Sequence, residues 1–174
     1  MKTKPDSIKK FVTIGLSLFV YKSVLLAFAY FLSKEDYNLF NQSYYTASII
    51  ILFAALGFNI SQTRIPLSTV KIFLLVSLNS LITFVILYSF TNSFLDTSKI
   101  VPVFIYSIIV STGGVLNFRL LFQGKYQTYF LIMIMLAFSH FAVIPFVILF
   151  NVDTFLVLSI LVLIWFAASY NFFD

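Results

Sequence analysis

Cysteine is absent from the 174 residues, and His140 is the lone histidine. Disulfides and thiolate metal sites are therefore excluded, and a histidine-based metal cluster lacks partners. Charge is scarce too: 10% of the chain, against about 25% in an ordinary soluble domain. So few charges cannot cover a water-facing surface. A soluble enzyme, a disordered tail and a nucleic-acid module all fit poorly, and the 11 basic residues form no stripe suited to phosphodiester backbones. Asp and Glu total six and none falls inside a long apolar run, which removes the intramembrane carboxylate of many ion-coupled transporters.

What is present is apolar: 61% hydrophobic, 20% aromatic, with a mean hydropathy of +1.03. A helix needs roughly 20 apolar residues to cross the hydrocarbon core. Six stretches qualify, at about 11–32, 37–60, 70–91, 101–122, 128–150 and 154–172. Barrel strands would be half as long and would alternate apolar with polar, a pattern not seen here. The expected fold is an all-α, integral membrane bundle of six transmembrane helices forming a single unit over 1–174.

Orientation follows the Lys and Arg asymmetry. Lys2, Lys4, Lys9, Lys10, Arg64, Lys71, Arg119 and Lys125 fall on one side, Lys34 and Lys99 on the other. Eight against two places both termini in the cytoplasm. The first run has a basic start and an Ala27-Phe28-Ala29 site like that of a signal peptide. Lys22 interrupts it, however, and the run continues through Tyr30-Phe31-Leu32, so it is read as an uncleaved first helix. Ser33-Lys34-Glu35-Asp36 has capping-box spacing and starts the second helix directly after Ser33. Pro66 ends or restarts helix between spans two and three. Pro102 suits the first turn of span four, and Gln123-Gly124-Lys125 the inner turn before span five.

Lys22 is the most informative position. It lies about 11 residues from each end of span one, hence roughly 16 Å from either surface. A lysine stem recovers only part of that depth, and a charge there costs about 2.5–3.5 kcal/mol on insertion scales. Either it is a structural lysine paired with helix carbonyls, or it lines a water-filled cavity that receives an anion. In span two, Asn38, Asn41, Gln42, Tyr45 and Ser48 share one helical face. That face either packs on neighbours or borders the outer half of a cavity, and Asn79 with Thr83 in span three poses the same choice. His140 is read as a hydrogen-bonding link between helices or as a proton relay that would couple transport. Pro145 and Gly113-Gly114 can kink or tighten spans four and five.

Three segments carry a family resemblance. Tyr30-Phe31-Leu32-Ser33-Lys34-Glu35-Asp36-Tyr37-Asn38-Leu39-Phe40, followed by Ala54-Ala55-Leu56-Gly57-Phe58-Asn59-Ile60-Ser61-Gln62-Thr63-Arg64, resembles the polysaccharide-exporter branch of the multidrug/oligosaccharidyl-lipid/polysaccharide superfamily, the Wzx-type O-antigen flippases. Asn117-Phe118-Arg119 to Lys125 is similar to that family's inner turn between helices four and five. The resemblance implies transport of an undecaprenyl-pyrophosphate-linked oligosaccharide, a surface polysaccharide unit such as O-antigen, across the bacterial inner membrane by alternating access. It implies a central cationic cavity between two six-helix lobes, of which this chain looks like the N-terminal one. The second lobe would come from a missing C-terminal half or from another protomer.

Lys22 then attracts the pyrophosphate, the polar residues Asn38, Asn41, Gln42, Tyr45 and Asn79 contact substrate, and Arg64 and Arg119, with Lys125, stand at the inner mouth, where they are equally plain orientation signals. Membrane lipid is the other expected partner. No nucleic acid, cofactor, metal or enzymatic activity is expected. A non-transporting membrane scaffold or assembly subunit is the alternative. A membrane glycan polymerase would need a reactive constellation on the outer connections, where none is visible.

Overall fold

The computed structural model describes residues 4–56, 67–91 and 97–173. Within them the protein is all-helical: α1 Lys4–Phe31, α2 Lys34–Ala54, α3 Thr69–Thr91, α4 Thr97–Phe122, α5 Tyr126–Phe150 and α6 Thr154–Phe173. Five of these are long and apolar enough to cross a membrane, so this is a helical bundle of a multi-pass membrane protein. The exception, α2, carries the polar face noted above, which lowers its hydropathy. Gly57 to Arg64 of the resemblance segment, Pro66 and Asp96 lie outside the described residues.

Local chemistry sets the helix ends. Ser33 caps α2 by accepting the Asp36 N–H at 3.1 Å, and its own hydroxyl donates to Asp36 Oδ2 at 2.6 Å. Gly124 takes a left-handed φ of +74°. Lys125 N–H then reaches Leu120 O and Gly124 N–H reaches Leu121 O, the paired bonds that close a helix on glycine. Asn151, also left-handed, ends α5, and Asp153 caps α6 by accepting the Leu156 N–H at 2.8 Å. Pro102 departs from expectation. α4 begins at Thr97 and not near Val101, so Pro102 sits inside the helix, where its ring removes an intrahelical bond. α5 runs through Pro145 unbroken.

α4 is the central helix. Of its apolar stretch 61% is buried, against 17% for α1 and for α3. It packs on α2, α3, α5 and α6, whereas α1 leans mainly on α5. Lipid tails are as apolar as leucine, so helices in a bilayer associate through close packing and hydrogen bonds, not hydrophobicity. The α4 interface accordingly carries Ser107, Ser111, Thr112 and Gly113. Each hydroxyl is bonded one turn back, Ser107 to Val103 O at 2.7 Å, Ser111 to Ser107 O at 2.6 Å and Thr112 to Ile108 O at 2.8 Å, so these three are satisfied within their own helix. Gly113 admits the Trp165 ring of α6, which is pinned by its Nε1–H to Ile132 O at 3.0 Å.

A methyl group at Gly113 would fall 2.6 Å from Trp165 Cη2, while one at Gly114 meets nothing within 4 Å. Gly113→Ala should therefore lower stability by about 1–3 kcal/mol, the usual cost of overpacking, with Gly114→Ala close to neutral. Thermal unfolding of the two variants in detergent would reverse this reading if they melted alike.

Candidate functional site

Polar chemistry gathers at the crossing of four helices. Tyr21 from α1, Tyr44 from α2, Tyr106 from α4 and His140 from α5 meet there. Tyr106 Oη lies 2.9 Å from His140 Nε2 and 3.3 Å from Tyr21 Oη, which is 3.2 Å from Tyr44 Oη and 3.4 Å from the same imidazole nitrogen. His140 Nδ1 is 2.8 Å from Leu136 O. A carbonyl only accepts, so Nδ1 bears the proton and Nε2 of the neutral ring accepts from Tyr106. The remaining hydroxyls then align in one direction, Tyr44 to Tyr21 to Tyr106 to His140. His140 is 0% exposed and Tyr106 1%, whereas Tyr44 is half-buried. The chain of hydroxyls runs from the α1–α2 seam into the closed interior.

Aromatic rings cover this cluster. Phe40 stacks on Tyr44 with centroids 5.6 Å apart, Phe155 meets Tyr106 edge-on at 5.2 Å, and the two phenylalanines are 6.1 Å apart. The same two rings floor a pocket of ≈ 60 Å³ lined by Asp36, Ser43, Lys99 and Asp153. There Lys99 pairs with Asp153, tying the start of α4 to the cap of α6. One aromatic layer thus separates an ionic pocket from the buried hydroxyls.

The expected site residues do not assemble inside the bundle. Lys22 follows Tyr21, yet one residue turns the helix by about 100°. Tyr21 faces Tyr44, while Lys22 lies on the exposed side of α1 and has no hydrogen-bond or ion-pair partner among the described residues. No cavity described in the bundle is lined by it. Lys22 is therefore an uncovered lysine on this lobe. The reason is that α1 buries the face of Ser17, Val24 and Phe28 instead.

On α2 the buried face is Phe40, Ser43, Thr46, Ala47, Ile50 and Ala54. Asn38, Gln42 and Tyr45 are exposed, Tyr45 by 64%, and Asn41 and Ser48 are half-buried. Asn41 and Ser48 are three and four residues from Tyr44, so they share its stripe toward α1. Asn79 is half-buried on α3, its carbonyl accepting the Thr83 hydroxyl at 2.8 Å.

Arg119 is a clamp. Its guanidinium donates to Leu67 O at 3.2 Å and to Phe173 O at 2.6 Å, joining α4 to the approach to α3 and the end of α6. That satisfies carbonyls at two helix ends and commits the guanidinium to a structural contact. Arg64 lies outside the described residues. Lys125 is exposed in the turn before α5. Asn117 is buried, its Nδ2 3.6 Å from Met133 Sδ.

Sequence reasoning found His140 but missed its three phenols. The bonded pairs of the cluster lie 23, 34, 85 and 119 residues apart in sequence and leave no local pattern to read. The chain matches no family model, no curated protein and no solved structure.

Tyr106→Phe removes the proton that His140 Nε2 accepts and should cost about 0.6–2 kcal/mol, the range of intramembrane hydrogen bonds. Tyr45→Phe, on the exposed face, serves as the control. Equal melting temperatures for the two would mean that the cluster does not hold the helices together.

Proposed function

We propose that this chain is one six-helix lobe of a transporter that moves an anionic lipid-linked oligosaccharide, of the undecaprenyl-pyrophosphate class, across a bacterial inner membrane by alternating access. The observation that carries the reading is Lys22: a mid-helix ammonium on an uncovered face, without a partner among the described residues. Facing lipid, such a charge is costly. Covered by a second lobe across a water-filled cleft, it becomes a cation for a diphosphate in a medium where attraction exceeds that in water.

The polar side of α2 supports the same reading. Asn38, Asn41, Gln42, Tyr45 and Ser48 are turned away from the helix's buried face, and the Tyr21–Tyr44 bond joins α1 to α2 at the depth of Lys22. In this reading the cargo passes between lobes, not through this bundle, and Lys22 with the α2 amides lines one wall. His140 is the coupling candidate, connected to that wall through Tyr44, Tyr21 and Tyr106. The protein then acts as a carrier, not an enzyme.

One observation favours a second reading, a non-transporting scaffold. The tyrosine–histidine cluster is closed on its own hydrogen bonds, and none of the cavities described in the bundle is lined by Lys22. There the same polar face would dock a partner helix bearing an acid.

Lys22→Ala should abolish surface-glycan display in cells that depend on this chain, with membrane insertion intact, while Lys22→Arg retains display. Normal display by the alanine variant would eliminate the carrier reading. Loss of display together with uninterrupted flipping in proteoliposomes would transfer support to the scaffold.

A further inference from the structure

A second polar site lies apart from the hydroxyl cluster, at the end of the bundle that carries the α4–α5 turn. A crevice of ≈ 700 Å³ opens between the first turns of α1 and of α5, lined by Lys9, Thr13, Lys125, Gln127 and Thr128. Among the described residues no acid lines it, and neither lysine has an ion-pair partner.

The start of α5 is electrostatically incomplete. α2 and α6 begin on Ser33 and Asp153 side-chain caps. α5 instead has Lys125 at the cap position, no side-chain cap and no acid in its first turn. The backbone N–H groups of Gln127 and Thr128 find no acceptor among the described residues. A helix start carries about half a positive charge, so a lysine placed on it adds like to like. An anion seated in the crevice reverses that balance.

The remaining wall is apolar and continues into the bilayer. Val12 and Leu16 of α1 face Phe130 at the crevice. One turn further along the same seam, Val20 and Val24 line an apolar cavity of ≈ 210 Å³ with Ile134, Ala137, Phe138 and Phe141. Val12, Leu16, Val20 and Val24 form a single i, i+4 stripe that rises about 18 Å. That rise slightly exceeds one leaflet's hydrocarbon, about 15 Å or half of the roughly 30 Å core.

The geometry points to a binding site for an anionic glycerophospholipid on the α1–α5 seam. Its phosphate sits between Lys9, Lys125 and the α5 amides, and one acyl chain lies along the Val12–Val24 stripe. Cationic headgroup site and apolar track adjoin at the depth where a lipid carries its own charge. A soluble phosphate would use only the first. This inference does not depend on the transport reading, because the occupant stays in its leaflet.

The test measures lipid retained by the intact protein in mixed micelles by native mass spectrometry, with dioleoyl phosphatidylglycerol competing against dioleoyl phosphatidylcholine. Two lysines at an anionic surface, at about 1 kcal/mol each, predict roughly thirtyfold preference for phosphatidylglycerol. Lys9→Gln with Lys125→Gln should abolish the preference, and Lys34→Gln, at the far end of α1 and α2, should keep it. Leu16→Trp, which blocks the apolar track without touching charge, should weaken retention of both lipids. Equal retention of the two lipids, a preference that survives the double substitution, or full displacement by inorganic phosphate would each overturn the assignment.

Discussion

Lipid supplies no hydrogen bonds, so every polar group carried into the bilayer must find a partner within the protein. The Tyr106–His140 bond answers that demand at the centre of this bundle. Four rings from four helices satisfy one another, and the imidazole spends its other nitrogen on its own helix at Leu136 O. The arrangement requires α1, α2, α4 and α5 to meet at a single depth. With α4 anchored there, the close seam between Gly113 and Trp165 follows, because α6 can approach α4 only where no Cβ intervenes.

The same constraint makes the exterior informative. α1 and α2 meet through few side chains besides Tyr21 with Tyr44 and Phe28 with Phe40, the latter stacked at 4.6 Å. Each then turns polar groups outward. A structure that covers its internal hydroxyls with the rings of Phe40 and Phe155 does not leave a lysine and two amides facing hydrocarbon without a cost. The proposed second lobe, or the partner helix of the scaffold reading, removes it. The crevice at Lys9 and Lys125 follows the same logic at the membrane boundary, where a lipid headgroup can supply the missing counter-charge.

The cations divide by environment. Arg119 is consumed by two backbone carbonyls and Lys99 by Asp153, both closing helix ends. Lys9, Lys22 and Lys125 have no such partners among the described residues. Charge alone therefore did not separate structural from functional candidates. The reach of a guanidinium fork to nearby carbonyls did, because unsatisfied carbonyls accumulate at helix ends.

Helix number and class, the Ser33 cap, the Gly124 turn and the apolar runs were all written in local order, since hydropathy, capping and left-handed glycine act over one or two turns. The helices of α1 and α4 begin several residues before their apolar runs, because polar flanks such as Thr97-Ser98-Lys99 extend a helix without adding hydrophobicity. Facing was not legible. An isolated helix wheel shows that Asn38, Asn41, Gln42 and Tyr45 belong together, but not whether the neighbours stand on that side or the other. Sequence by itself determined a helical membrane protein with a buried-depth lysine and an unusual polar helix face. Only the tertiary structure decided that Lys22 points outward and that three distant tyrosines converge on His140, because burial and long-range hydrogen bonding depend on which helices touch, a property no local window contains.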